Sequence, residues 1–272
     1  MSKINEILPF GNEAWTHKIP AAEPCQIFIA EKNSSPFQIW LVNQKGDTPA
    51  DMELFARAMS LDLQQEMTLQ VQEKLNTLAG VCGQEFMMTF PPTGERRNML
   101  GLVNAIAQLI QLKGNFPQVT QEDERSKLPG NVWTVDILNP QTKQVFKLNV
   151  SEPIVDGRKR PSSVWLTGDF PEILDGLCAL LSLDMKKGDI ARVTIKLRTL
   201  LDIPQEVATH AFSPSLSSMG EYIAYLVLQR FIHHFYIDER GNELTHTNVV
   251  AFESPRNNDR SFMGVSDAEF SL

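Results

Sequence analysis

The sequence predicts an α+β fold made of two tandem repeats. Each is an antiparallel three-stranded meander followed by about three helices packed on one face, and the two are related by a pseudo-twofold. Three observations carry this expectation. Alternating, strand-like segments precede segments of helical period, and this order occurs twice, which is the pattern of helices covering one face of a sheet. Residues 53–81 return without a gap as residues 175–203, at an offset of 122, with eight of 29 positions identical, against roughly two expected by chance for average composition. Between the two sets lies GNFPQVTQEDERSKLPG, residues 114–130, polar and with two prolines, which reads as a linker.

In chain order, WTHKI at 15–19, CQIFIA at 25–30 and FQIWLV at 37–42 are rich in β-branched and aromatic residues, and the short connections between them favour a meander. Thr48-Pro49 supplies a helix start. Met52, Phe55, Ala56, Met59 and Leu63 then form one apolar stripe, and Met67, Val71, Leu75 and Leu78 a second. EFMMTF at 85–90 is a short strand, residues 91–94 are a loop, and residues 99–112 form a third helix. The second half repeats the plan. WTVDI at 133–137, residues 145–150 and VWL at 164–166 are strands, and IVDGRKRP at 154–161 is a turn or loop. Helices start near Pro171 and Asp189, and Ser218-x-x-Glu221 is a capping box opening the last one. The boundaries are therefore 1–113 for the first repeat, 114–130 for the linker, 131–237 for the second repeat and 238–272 for a C-terminal extension.

Composition narrows the function. A net charge of −8 over 272 residues argues against nucleic-acid binding, which needs a basic face. No apolar run is long enough for a membrane helix, and the N-terminus does not read as a signal peptide. Cys25, Cys82 and Cys178 are few, odd in number and far apart, as expected in a reducing cytoplasm. Cys25 and Cys178 read as core thiols. Neither zinc spacing nor a phosphate loop or nucleophile elbow occurs, so no metal, cofactor or catalytic set is expected.

The remaining candidates are few. Arg158, Lys159 and Arg160 form the one dense basic cluster, either a solvated loop tip or an anion or nucleotide-phosphate contact. Arg96 and Arg97, placed near a helix N-terminus, are a matching candidate in the first repeat. Asp62 and Asp184 occupy the same position twice. A local salt bridge or cap is the simpler reading, and a shared role between the repeats the alternative. Lys74 and Lys196 are the other polar pair held in both repeats. Trp40 and Trp165 also recur and read as strand residues beneath the helices.

The order of segments resembles the TSCPD domain, named for its Thr-Ser-Cys-Pro-Asp motif. It is found at the C-terminal end, or as a split small subunit, of adenosylcobalamin-dependent (class II) ribonucleotide reductases. The carrying residues are PFQIWL at 36–41 with AMSL at 58–61, then IVDGRKRP at 154–161, LLSL at 180–183 and SPSL at 213–216. The naming motif is absent, its place being held by Pro92-Thr93-Gly94-Glu95 and Pro214-Ser215-Leu216-Ser217 without a cysteine. The resemblance implies a non-catalytic accessory or regulatory protein acting through protein contacts, with a reductase catalytic subunit as partner. A homodimer, and an acidic tail that docks through Phe270 and Leu272, also belong to this expectation. A small-ligand or nucleotide-phosphate-binding module using Arg158/Arg160 or Arg96/Arg97 is the alternative.

Overall fold

The computed structural model describes residues 14–65, 68–114, 116, 131–139, 142–155, 157–203, 218–238 and 240–244. The fold is α+β. In the first half, β1 (Ala14–Ile19), β2 (Cys25–Lys32) and β3 (Ser35–Asn43) form an antiparallel sheet in sequence order. Helices α1 (Ala50–Gln65) and α2 (Thr68–Ala79) follow. A hairpin of β4 (Phe86–Phe90) and β5 (Glu95–Met99) leads to α3 (Leu102–Lys113). The second half has β6 (Asn131–Leu138) and β7 (Val145–Glu152), a small hairpin of β8 (Ile154–Val155) and β9 (Arg158–Lys159), then β10 (Ser163–Thr167). Its sheet runs β6-β7-β10. Helices α4 (Glu172–Lys187), α5 (Ile190–Leu200) and α6 (Met219–His233) complete it.

Shifting the bounds of α1 by 122 positions gives those of α4, and the first residue of α2 shifted likewise is the first of α5. The two sheets remain separate, but a single apolar cluster runs through both halves. It takes Ile27, Ile29, Ile39 and Leu41 from one sheet, Phe146, Leu148, Val150 and Leu166 from the other, and the inner stripes of the six described helices. Helix α1 packs on β3 and on α4, α5 and α6, while α4 packs on β10.

The edge strand beside each helix layer is tied to it by a serine. Ser60 Oγ of α1 accepts the Ile39 N–H at 3.0 Å, and Ser182 Oγ of α4 accepts the Val164 N–H at 2.9 Å and donates to its carbonyl at 2.8 Å. Backbone groups that an edge strand would otherwise leave bare are thereby satisfied.

Two acids cross between the halves. Asp51, in the first turn of α1, accepts the Gly220 N–H of α6 at 2.8 Å. Glu172, at the start of α4, accepts the Val103 N–H of α3 at 2.8 Å and is also hydrogen-bonded to the backbone of Leu102 and Gln84. Each half therefore caps the last helix of the other, where orphan donors and the positive end of the helix dipole favour a carboxylate.

Several sequence expectations are corrected. Residues 95–99 are a strand, and the third helix begins at Leu102 instead of Met99. Residues 154–161 contain the β8–β9 hairpin. Trp40 and Trp165 do not lie beneath the helices. Trp40 pairs with Phe28 in a row that alternates with the inward Ile39 and Leu41, and Trp165 pairs with Asn149 between the inward Val164 and Leu166. Trp15 and Trp133 pack against the core instead. The tail from residue 245 and nearly all of the predicted linker lie outside the described residues.

A Cβ added to Gly83 would collide with the Glu172 carboxylate. Gly83→Ala should displace that carboxylate from α3 and lower stability by about 1 kcal/mol, the usual worth of an N-cap. Urea denaturation of Gly83→Ala, Glu172→Ala and the double variant checks this, with the effect of Gly83→Ala expected to shrink in the Glu172→Ala background.

Candidate functional site

The polar residues shared by both halves meet at one point in the core. Asp62 lies on α1 and Lys74 on α2, while Asp184 lies on α4 and Lys196 on α5. Lys74 Nζ binds Asp62 Oδ1 at 2.7 Å and also Asp184 Oδ1. Lys196 Nζ binds Asp184 Oδ2 at 2.8 Å and Asp62 Oδ2 at 2.7 Å. Each lysine thus bridges the aspartate of its own half and that of the other. The side chains are 0 to 6% exposed.

Four charges at this depth are costly to desolvate, and two positive with two negative in a closed ring compensate one another. Burial opposes the charge on Lys74, but Asp62 and Asp184 outweigh it and hold its pKa above the usual 10.5. Burial likewise opposes the charge on Asp184, but Lys196 and Lys74 hold it below the usual 3.8. Because every charge is engaged by its neighbours, the ring joins the halves and presents no group to a solute.

A second ionic cluster lies where β7 meets the end of α6. Arg230 grips Glu152 with two bonds of 2.6 and 2.9 Å, and His234 Nε2 lies 3.1 Å from the same carboxylate. The Arg230 guanidinium also stacks on Trp133 at 4.7 Å. Burial would raise the Glu152 pKa, but these partners bring it down to about 2. Glu152 gave no sequence signal, because a lone acid ending a strand carries no pattern.

The arginine candidates separate into two places. Arg96 and Arg97 lie in β5, not at a helix N-terminus. Arg97 Nε and Nη2 bind Glu95 Oε2 at 3.0 and 2.8 Å, and its guanidinium lies 4.6 Å from the Phe90 ring centre. In the other half, Arg158 donates to the Phe235 carbonyl at 3.2 Å and stacks on Tyr236 at 4.6 Å. Arg160 passes beside Gly188, the cap that ends α4. Both arginines stand near helix C-terminal ends, where a cation is favoured. Their Nε atoms are buried and have no hydrogen-bond acceptor among the described residues. Lys159 is exposed.

Cys25 and Cys178 are buried, and burial pushes the Cys25 thiol up to about 12 and the Cys178 thiol up strongly as well. Cys82 is exposed. Phe270 and Leu272 lie outside the described residues. Among the described residues no group of three or more His, Cys, Asp or Glu side chains is placed to hold a metal, and no helix is long and apolar enough to cross a membrane.

Compared with known proteins, the chain matches no family model, no curated protein and no solved structure.

Two outcomes are expected from the ring. Lys74→Met leaves two buried aspartates facing one lysine and should cost about 3–5 kcal/mol, whereas Lys74→Met with Asp184→Leu, which restores neutrality, should cost much less. Chemical denaturation of both variants decides this. The ring also sets two pH edges. Asp184 titrates lower in the folded state than in the unfolded chain, so its contribution is present above about pH 3.8 and lost as pH falls through its lowered pKa. Lys74 titrates higher when folded, so its contribution is present below about pH 10.5 and lost as pH rises through its raised pKa. Thermal melts from pH 2 to 12 should fall at both ends, and the alkaline loss should diminish in the neutral double variant.

Proposed function

We propose that this chain is a non-catalytic accessory protein that acts by docking on another protein. In this reading the two halves are diverged copies of one TSCPD-like unit, and the partner is the catalytic subunit of an adenosylcobalamin-dependent ribonucleotide reductase. The shared offset of α1/α4 and α2/α5, the paired serine ties and the crossed caps favour the duplication.

The observation that carries the docking reading is the apolar side chains on the outer face of each sheet, opposite the described helices. On the first sheet, Phe28 and Trp40 are cross-strand neighbours and only partly buried. On the second, Leu138 and Val145 pair at 50% and 56% exposure, with Val132 also 50% exposed and Trp165 on the same face. Exposed aromatic and aliphatic side chains on a sheet face favour a protein interface, where Trp contributes disproportionately. The ionisable residues shared by the halves are already consumed in the core ring, which favours binding over chemistry.

A second reading, a module for small anions, is favoured by the buried Nε atoms of Arg158 and Arg160, which find no acceptor among the described residues. It stands behind the first because Tyr236, the Phe235 carbonyl and the end of α4 account for where these arginines lie.

Titration calorimetry of the purified chain into the purified reductase catalytic subunit tests the docking reading. Saturable binding is expected, with Trp40→Ala or Trp165→Ala weakening it about tenfold or more, the effect of a hot-spot residue. Absence of binding, or binding that neither tryptophan affects, would sink this assignment. The chain alone, given adenosylcobalamin, a thiol and nucleotide, should show no turnover.

A further inference from the structure

A cavity of about 320 Å³ lies between the β4–β5 hairpin and α3. Its size is at the lower end of small-molecule sites. Phe90, Pro91, Pro92 and Phe116 give it flat apolar walls, while Thr93, Arg97, Gln108 and Gln111 contribute polar groups.

The two glutamines are three residues apart on α3, so they share a face. Both amides are anchored from behind. Gln108 Nε2 donates to Asn104 Oδ1 at 3.0 Å, and Asn104 is itself held by the Ala79 carbonyl and the Leu100 N–H. Gln111 Nε2 donates to Asn76 Oδ1 at 2.8 Å, although the residue is only 4% exposed. Each amide thus uses one N–H for anchoring and keeps its carbonyl oxygen and second N–H, an acceptor and a donor on one planar edge. Arg97 adds the opposite polarity. Its Nε and Nη2 are taken by Glu95, leaving Nη1, and the Glu95 carboxylate balances its charge. The wall therefore offers two anchored amide edges, a guanidinium donor ion-paired with Glu95, and flat apolar surfaces.

We infer that this cavity is a binding site for a neutral heteroaromatic ring with an amide-like edge, of the nucleobase class. Ring N–H or amino groups would donate to Gln108 and Gln111, a ring carbonyl or nitrogen would accept from Arg97, and the ring faces would lie on the proline and phenylalanine walls. The site is independent of the outer sheet faces, so its test does not depend on the docking partner.

The probes are free adenine and uracil, with toluene and inorganic phosphate as controls, titrated into ¹⁵N-labelled full-length chain. Adenine or uracil should shift the side-chain amide resonances of Gln108 and Gln111 saturably, and toluene and phosphate should not. Gln108→Leu and Arg97→Gln should each weaken binding about tenfold or more. Both residues are more exposed than Gln111, and backbone spectra verify that the variants fold. Three results would overturn the assignment: no shift with either base, equal binding of toluene or phosphate, or base binding that both variants retain.

Discussion

The closed ring of Asp62, Lys74, Asp184 and Lys196 is the constraint on which the rest of the molecule depends. In an apolar interior each charge is tolerated only while its two opposite neighbours stay within hydrogen-bonding distance. The ring takes one residue from each of α1, α2, α4 and α5. A one-turn slide of any of these helices would move its charged group by about 5 Å, enough to break the contacts. The ring therefore fixes the register of four helices at once. The sheets inherit that register, because Ser60 and Ser182 lie one half-turn before Asp62 and Asp184 and bind the edge strands directly. A serine and an aspartate two apart on a helix face different directions, so one helix serves the sheet and the core together.

The crossed caps extend the same dependence to the remaining helices. Helix α3 belongs to the first half, yet Glu172 from the second accepts its first N–H groups, while Asp51 does the same for α6. Neither half has a complete set of helix ends, a closed charge ring or a closed core without the other. Burial raises the pKa of both capping acids despite the N–H groups they accept. A carboxylate raised in this way costs stability as pH rises from its ordinary value through the shifted one. The caps and Asp184 thus pull in opposite directions on the acid side.

How far the fold could be read in advance follows from which signals are local. The stripes of α1, α2, α4 and α5 repeat at helical spacing, and their boundaries were legible within a few residues. Asp62 and Lys74 stand out because they recur at the same position of both halves, but the contact of Lys74 with Asp184 spans 110 residues and no local pattern encodes it. Strand β5, ERRNM, has no β-branched or aromatic residue and only Met99 buried. It is a strand because β4 pairs with it, and sequence pattern alone puts its arginines near a helix start. The direction of Trp40 was available in the alternation with Ile39 and Leu41, where aromatic character outweighed parity. Asp51 and Glu172 resemble ordinary first-turn acids, and only the tertiary structure reveals that they cap helices other than their own.

Charge alone does not determine which half pairs with which. Each half contributes one aspartate and one lysine, so two first halves or two second halves would close an equally neutral ring. Packing breaks this degeneracy. Positions 54 and 55 of α1 are Leu and Phe, whereas the positions 122 further on, 176 and 177 of α4, are Gly and Leu. At Gly176 a Cβ would lie 2.9 Å from Phe55 and 3.0 Å from Val103, and at Gly220 one would lie 2.6 Å from Leu54. The bulk of one half thus occupies the space its counterpart leaves. Facing two first halves would set Leu54 against Phe55 with no glycine to receive either, and facing two second halves would leave a void beside Gly176, each costing of the order of kilocalories per mole. The charge ring ties two halves together, and the Leu-Phe to Gly-Leu mismatch makes it a pairing of unlike halves.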